Sequence, residues 1–461
     1  MSKRALSLLN QLGLLRSNNV PVDLDAISDE ALIDKLHAYF DERTKNAEAD
    51  IQSVHKEPDL SCLISSFSAR NSLQTILPSS LVHKHLIVDD PLYKFGAPET
   101  DIGKTHKEYI GVNPTSIPDR ASVRQALSYF SNVAPLIKAD LLAVLPLHIL
   151  HMPEEQMPVY YSEDRFRSEI PENIHDFIHR SAYIKPVVLK KDTGDLVVLR
   201  EDAKEPCRGI QIGFNNDLCT SGVSLYLYQE AIADQVEKDT GAVRLRMSWE
   251  PDKPLSRDVF EAWVYQSVNR TIIARLQSIA SESRLAAGLS HSYLTESSFE
   301  ADLLRQSGFR GEDTSSNSIN FLTANESLIE MPSADAVVRL REDKEMSFSR
   351  FRASLLDIGD QLTGVPDHEF QNKAERLFLS EIQPQIDEIK DSVRRMQVSG
   401  AKGGLVALGG IAITIATGTA VPLVAAGLYA GSGALTEALP SISEYMSKRS
   451  RPEYVWARLA K

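Results

Sequence analysis

Residues 86–91 read LIVDDP, and this stretch sets the character of the N-terminal part of the chain. Leu86, Ile87 and Val88 form a short apolar run with no polar alternation, and Asp89, Asp90 and Pro91 end it with turn-forming chemistry. A run of that length closed by such residues reads as a buried strand stopping at a turn. Downstream, Asp119 is placed to cap a helix reaching about Lys138, and Leu141 to Leu147 gives a second short apolar run interrupted by Pro146. Strand, helix, strand is the order these signals predict. Upstream, Ser28 followed by Asp29 and Glu30 marks a helix start, with Leu32, Leu36, Tyr39 and Phe40 on one face, and Ala5 to Leu15 reads as an amphipathic helix.

From Tyr183 the pattern changes. PVVL and DLVVL flank KKDTG, IQIGF follows, and SLYLY and VRLRMSW each have strand character, so 180–250 reads as an antiparallel sheet with a helix near Gln229 to Lys238. Ser256 opens a long helix to about Leu289, and RGEDTSSNS at 310–318 is the best linker candidate. Phe348, Phe351, Leu355, Ile358 and Leu362 step by three and four along one helix face, and Ile382, Ile386, Ile389, Val393 and Met396 repeat the rhythm. The expectation is an α+β protein: a mixed domain over 1–180, a central antiparallel sheet with a long helix over 181–309, and a helical C-terminal module over 319–461.

That module holds the most unusual segment. The chain is 25% charged, yet the 34 residues 403–436, GGLVALGGIAITIATGTAVPLVAAGLYAGSGALT, contain no charge. One straight helix of this length would reach roughly 51 Å, beyond the ~30 Å hydrocarbon core of a bilayer. Pro422 interrupts it, and two antiparallel helices follow from that break. Ala412, Ala416 and Ala420, and then Gly427 and Gly431, recur every fourth position, a spacing that lets two helix backbones pack closely. Arg394, Arg395 and Lys402 before the segment, and Lys448, Arg449 and Arg451 after it, return to the same side in a hairpin. Such a hairpin suits insertion in a membrane or sealing of a hydrophobic assembly.

The net charge of −13 argues against a general nucleic-acid-binding surface. From 397 to 461 six Lys or Arg stand against three Glu, so the apolar segment sits in a net-basic region that favours anionic lipid. Cys62, Cys207 and Cys219 are too few and too scattered for a disulfide framework or a zinc cluster, which places the chain in a reducing cytoplasm, with peripheral or inner-membrane association through 403–436. A protein partner or self-association is expected.

Candidate chemistry is sparse. Asp89 and Asp90 lie just past an apolar strand, from where carboxylates hold Mg²⁺ in some nucleases. The same pair is also ordinary turn chemistry. His175 and His179 in NIHDFIHR fall on one helix face at metal-ligand spacing, with His148 and His151 as further donors, but Asp176 stands where the zinc-protease pattern needs glutamate. His83 and His85 alternate within VHKHLIV as they would on one side of a strand. There is no phosphate-binding loop, dinucleotide glycine fingerprint or nucleophile-elbow serine, and no cofactor is expected.

The run VVRLREDKEMSFSRFRASL at 337–355, the glycine-rich segment after it and PEYVWARLAK at 452–461 resemble uncharacterised prokaryotic proteins associated with mobile elements or antiviral defence. Arg341, Phe348, Phe351 and Arg352 are the matching positions. The resemblance covers at most the last 130 residues and transfers no catalytic residue. It implies an interaction or effector protein, and the alternative carried by Asp89, Asp90, His175 and His179 is a metal-dependent hydrolase or nuclease.

Overall fold

The computed structural model describes residues 3–54, 60–66, 73–98, 119–150, most of 170–303, and 333–362 with parts of 365–388. The apolar segment 403–436, its flanking bases from Arg394 to Arg451, the linker candidate at 310–318, Cys219 and His151 lie outside the described residues. By internal contacts the chain forms two units, drawn from 1–97, 118–151 and 279–452, and from 98–117, 152–278 and 453–461.

The first unit begins with α1 (Lys3–Gln11) and α2 (Asp29–Gln52). Ser28 Oγ accepts the Ala31 amide, the cap that its sequence signalled. There follow β1 (Cys62–Ile64), α3 (Leu73–Val82), β2 (Leu86–Asp89), α4 (Arg120–Lys138) and β3 (Leu142–Leu145). Asp119 caps α4 by accepting the Ala121 and Ser122 amides. The strands pair in parallel, and a fourth strand, Ser292–Leu294, joins at the β1 edge. Parallel strands with helical crossovers are covered on both faces, which explains why LIVD carries no alternation. Cys62, Ile64, Leu86, Val88, Leu142 and Val144 share one core with α1 to α4. Leu63, Ile87, Ala143 and Tyr293, one residue out of phase, are buried as well.

The second unit holds α5 (Glu172–Ser181) and an antiparallel sheet of β4 (Ala182–Leu189), β5 (Leu196–Val198), β6 (Gly209–Phe214) and β7 (Gly222–Leu225), in the order β5-β4-β6-β7. The strands β8 (Tyr228–Val236) and β9 (Val243–Ser248) pair separately. The helix expected near 229–238 is therefore a strand: antiparallel pairing with β9 overrides the helical preference of its Gln, Glu and Ala residues. The helix α6 (Arg257–Gly288) begins in this unit, the division falling after residue 278. The strand Ser292–Leu294, here β10, follows α6 in sequence.

The architecture is α+β, as expected, but the units are not consecutive stretches. The helices α7 (Ala334–Asp343) and α8 (Glu345–Leu362) pack into the first unit. Val337, Leu340, Phe348, Phe351, Leu355, Ile358 and Leu362 belong to the same core as Leu86 and Phe130. The boundaries expected near 180 and 309 thus differ from the contact-based division, because a strand and two helices from beyond 279 complete the N-terminal sheet. Among the described residues no helix is long and apolar enough to cross a membrane.

Candidate functional site

In a parallel sheet the backbone ends of the strands converge on one edge, and ligands bind in α/β proteins beyond their carboxyl ends. In the first unit that edge carries Thr295 after β10, Ser65 after β1, and Asp89 and Asp90 at the end of β2.

The two aspartates have different fates. Asp90 is buried in a closed network. Its Oδ2 accepts Tyr39 Oη at 2.7 Å and Arg43 Nε at 3.0 Å, and its Oδ1 accepts the amides of Leu92 and Tyr93. Arg43 also donates to Asp50 Oδ2 and to the Val144 carbonyl, both at 2.6 Å. Burial pushes the Asp90 carboxyl up, opposed first by the Arg43 guanidinium and then by the Tyr39 hydroxyl. These bonds tie α2 to β2 and β3, and they occupy both carboxyl oxygens. Asp89 is only partly buried, and its Oδ1 accepts the Leu147 amide at 2.9 Å.

Beside Asp89 lies a cluster the sequence did not announce. Glu300 is buried and receives Ser65 Oγ at 3.1 Å on both oxygens, Thr295 Oγ1 at 2.8 Å on Oε2 and Tyr293 Oη on Oε1. Glu282, from the last turns of α6, receives the Ser66 amide at 3.1 Å and lies 3.2 Å from the same Tyr293 hydroxyl. A tyrosine hydroxyl has one proton, and the shorter contact takes it to Glu300. The contact with Glu282 is then satisfied when Glu282 is protonated and donates to the tyrosine oxygen. Burial pushes Glu282 up to about 8, with the Glu300 and Asp89 carboxylates adding to the rise against the opposing pull of Ser66. Two acidic side chains from distant parts of the chain thus share the Tyr293 hydroxyl at the carboxyl edge, and Asp89 acts on Glu282 electrostatically. Asp90, by contrast, has its guanidinium. The missed signal is Tyr293 and Glu300 in SYLTESSFE, whose spacing resembles any polar loop until β10 aligns beside β1.

The histidine candidates fare differently. His175 and His179 do share one face of α5, with ring centroids 4.4 Å apart. His175 Nε2 meets Tyr265 Oη at 2.9 Å, His179 Nε2 meets Asn269 Oδ1 at 2.8 Å, and the His179 ring stacks on Tyr265. These are contacts of a helix packed on α6. His148 lies in the short helical turn Leu147–Leu150, in the other unit. Among the described residues no three His, Cys, Asp or Glu side chains come together in a group able to hold a metal ion. His83 and His85 precede β2 and do not alternate along it; both are buried near the amino-terminal edge of the parallel sheet. Cys62 is buried, which pushes its thiol up, and Cys207 Sγ donates to the Gly209 carbonyl at 3.3 Å. Comparison with protein-family models, curated proteins and solved structures finds no match to this chain.

Proposed function

We propose that the chain is an interaction or effector protein, with antiviral defence in a prokaryotic cytoplasm as its setting, that acts through the uncharged segment 403–436. The observation that carries this reading is the 34-residue absence of charge in a chain that is otherwise one quarter charged. In the hairpin reading Ala416, Gly427 and Gly431 pack the two arms, and Arg394, Lys402, Lys448 and Arg449 meet anionic headgroups. The test is sedimentation of the full chain with phosphatidylglycerol vesicles, beside a variant lacking 403–436. Binding that the deletion abolishes is expected. A full chain that stays monodisperse without detergent and ignores the vesicles overturns the membrane reading.

A second reading, hydrolysis by acid–base catalysis, is favoured by one observation: the buried Glu282 carboxyl, pushed up to about 8, contacts the same Tyr293 hydroxyl as Glu300 at the carboxyl edge of a parallel sheet. Environments that separate the proton affinities of neighbouring carboxyls mark acid and base roles. Glu282 would protonate a leaving group and Asp89, less buried than Glu282 or Glu300, would activate water. Turnover lost in both Glu282→Gln and Asp89→Asn, with unchanged folding, is the expected outcome on a panel of phosphate-ester, glycoside and nucleic-acid substrates. The reading falls if the wild-type chain turns over none of them, or if both variants retain its activity.

A further inference from the structure

We infer that His83 is an acid-sensitive latch, which holds α7 and α8 on the first unit at neutral pH and releases them as the pH falls. This goes beyond the first reading above and rests on it only for the consequence of release, since the latch itself is measurable without lipid.

The latch lies where α3 ends. Arg341, on α7, donates from Nη1 to the carbonyls of Ser80 and His83, both at 2.7 Å, and so caps the end of α3 with a cation from another helix. His83, whose backbone carbonyl is one of these two acceptors, has its side chain buried. Its Nδ1 lies 3.0 Å from the Ser79 carbonyl, which can only accept, so Nδ1 carries the proton of the neutral ring. The other nitrogen, Nε2, is buried with no hydrogen-bond partner among the described residues.

Protonation would place a second N–H where no described residue accepts it, and a positive charge near the Arg341 and Arg352 guanidiniums. Arg341 of α7, His291 before β10 and Arg352 of α8 act on His83 electrostatically, all in the direction that resists its protonation. Lys84 is the next residue in the chain, and His85 meets His291 edge-on at 5.8 Å. Two carbonyls at this helix end, those of Ser80 and His83, are already bonded to Arg341. Burial, the largest cause, and these neighbours lower His83 to about 4, against the Ser79 hydrogen bond, which raises it.

The sign follows from linkage. An undocked α7 exposes His83 to water, where it takes up a proton near its ordinary value of about 6.5, so acid favours the undocked state. The loss begins as pH falls below about 6.5 and is complete near 4. Between pH 7.5 and 5 the undocking equilibrium rises roughly 30-fold.

Hydrogen exchange of the full chain, corrected for the intrinsic pH dependence of exchange, reads this directly in peptides covering 334–343. In His83→Asn the amide nitrogen takes the place of Nδ1–H and nothing titrates. The expected result is roughly a 30-fold rise in α7 opening from pH 7.5 to 5 in the wild-type chain and less than about 3-fold in the variant. Equal rises in both overturn the latch. Should the variant not fold, histidine-selective NMR of the wild-type chain decides: a His83 ring still neutral at pH 5.5 supports the latch, and a midpoint at 6 or above overturns it. A chain that releases α7 in acid but ignores vesicles would keep the latch and remove the membrane reading.

Discussion

Arg43 and Asp90 form a buried ion pair, Nε to Oδ2 at 3.0 Å, in which neither side chain is more than 2% exposed. The guanidinium also serves Asp50 and the Val144 carbonyl, so one residue of α2 fixes the position of β2 and β3. Removing one partner of such a pair leaves a buried charge without compensation. Arg43→Ala is expected to destabilise the chain by about 3–5 kcal/mol, read as a shift in the urea midpoint.

Glu282 makes stability depend on pH in the opposite sense to an ordinary carboxyl. Its folded value of about 8 lies above the usual glutamate range, so its contribution is intact below about 4.5 and is lost as pH rises toward 8. Unfolding free energy is expected to fall by up to roughly 4 kcal/mol over that interval in the wild-type chain. Glu282→Gln, which keeps a neutral donor facing Tyr293, flattens the profile. Urea titrations at pH 5 and pH 8.5 check both statements.

Phe351, on α8, is buried in the same core as Leu86 and Phe130 of the parallel-sheet unit. If the helices were an independent module, truncating it would leave the sheet unaffected. Phe351→Ala is expected to cost about 3–5 kcal/mol and to lower the thermal midpoint reported by both α8 and α4 probes together.

Gly96 ends the short helical turn Tyr93–Gly96, against α2. A Cβ there would lie 2.0 Å from the Leu36 carbonyl oxygen and 2.7 Å from Phe40 Cβ. Backbone cannot yield as a flexible side chain does. Gly96→Ala is expected to cost about 3 kcal/mol, measured by thermal denaturation, where Ala is normally a neutral exchange in an exposed turn.

Legibility followed the range of the interactions. The caps Ser28 and Asp119, the long α6, the hairpin of β4 and β5, and the stripe from Phe348 to Leu362 were readable, because each depends on neighbours a few residues away. The strand β8 was not, since its pairing with β9 outweighs local propensity. Of the site, Asp89 was legible as a strand-end carboxylate. Its companions were not: Glu282 lies on a helix whose apolar pattern says nothing of its acids, and Glu300 follows a three-residue strand too short to announce itself.

The sequence by itself determined that the chain mixes helices with two kinds of strand, and that one long segment carries no charge. These are matters of local pattern and composition. Tertiary structure alone decided that Asp90 is spent on Arg43 while Asp89 acts on Glu282, and that the His83 carbonyl receives Arg341. Each of those relations joins residues tens to hundreds of positions apart, and the parallel register of β10, β1, β2 and β3 sets Asp89 and Asp90 at the carboxyl edge and His83 near the opposite one.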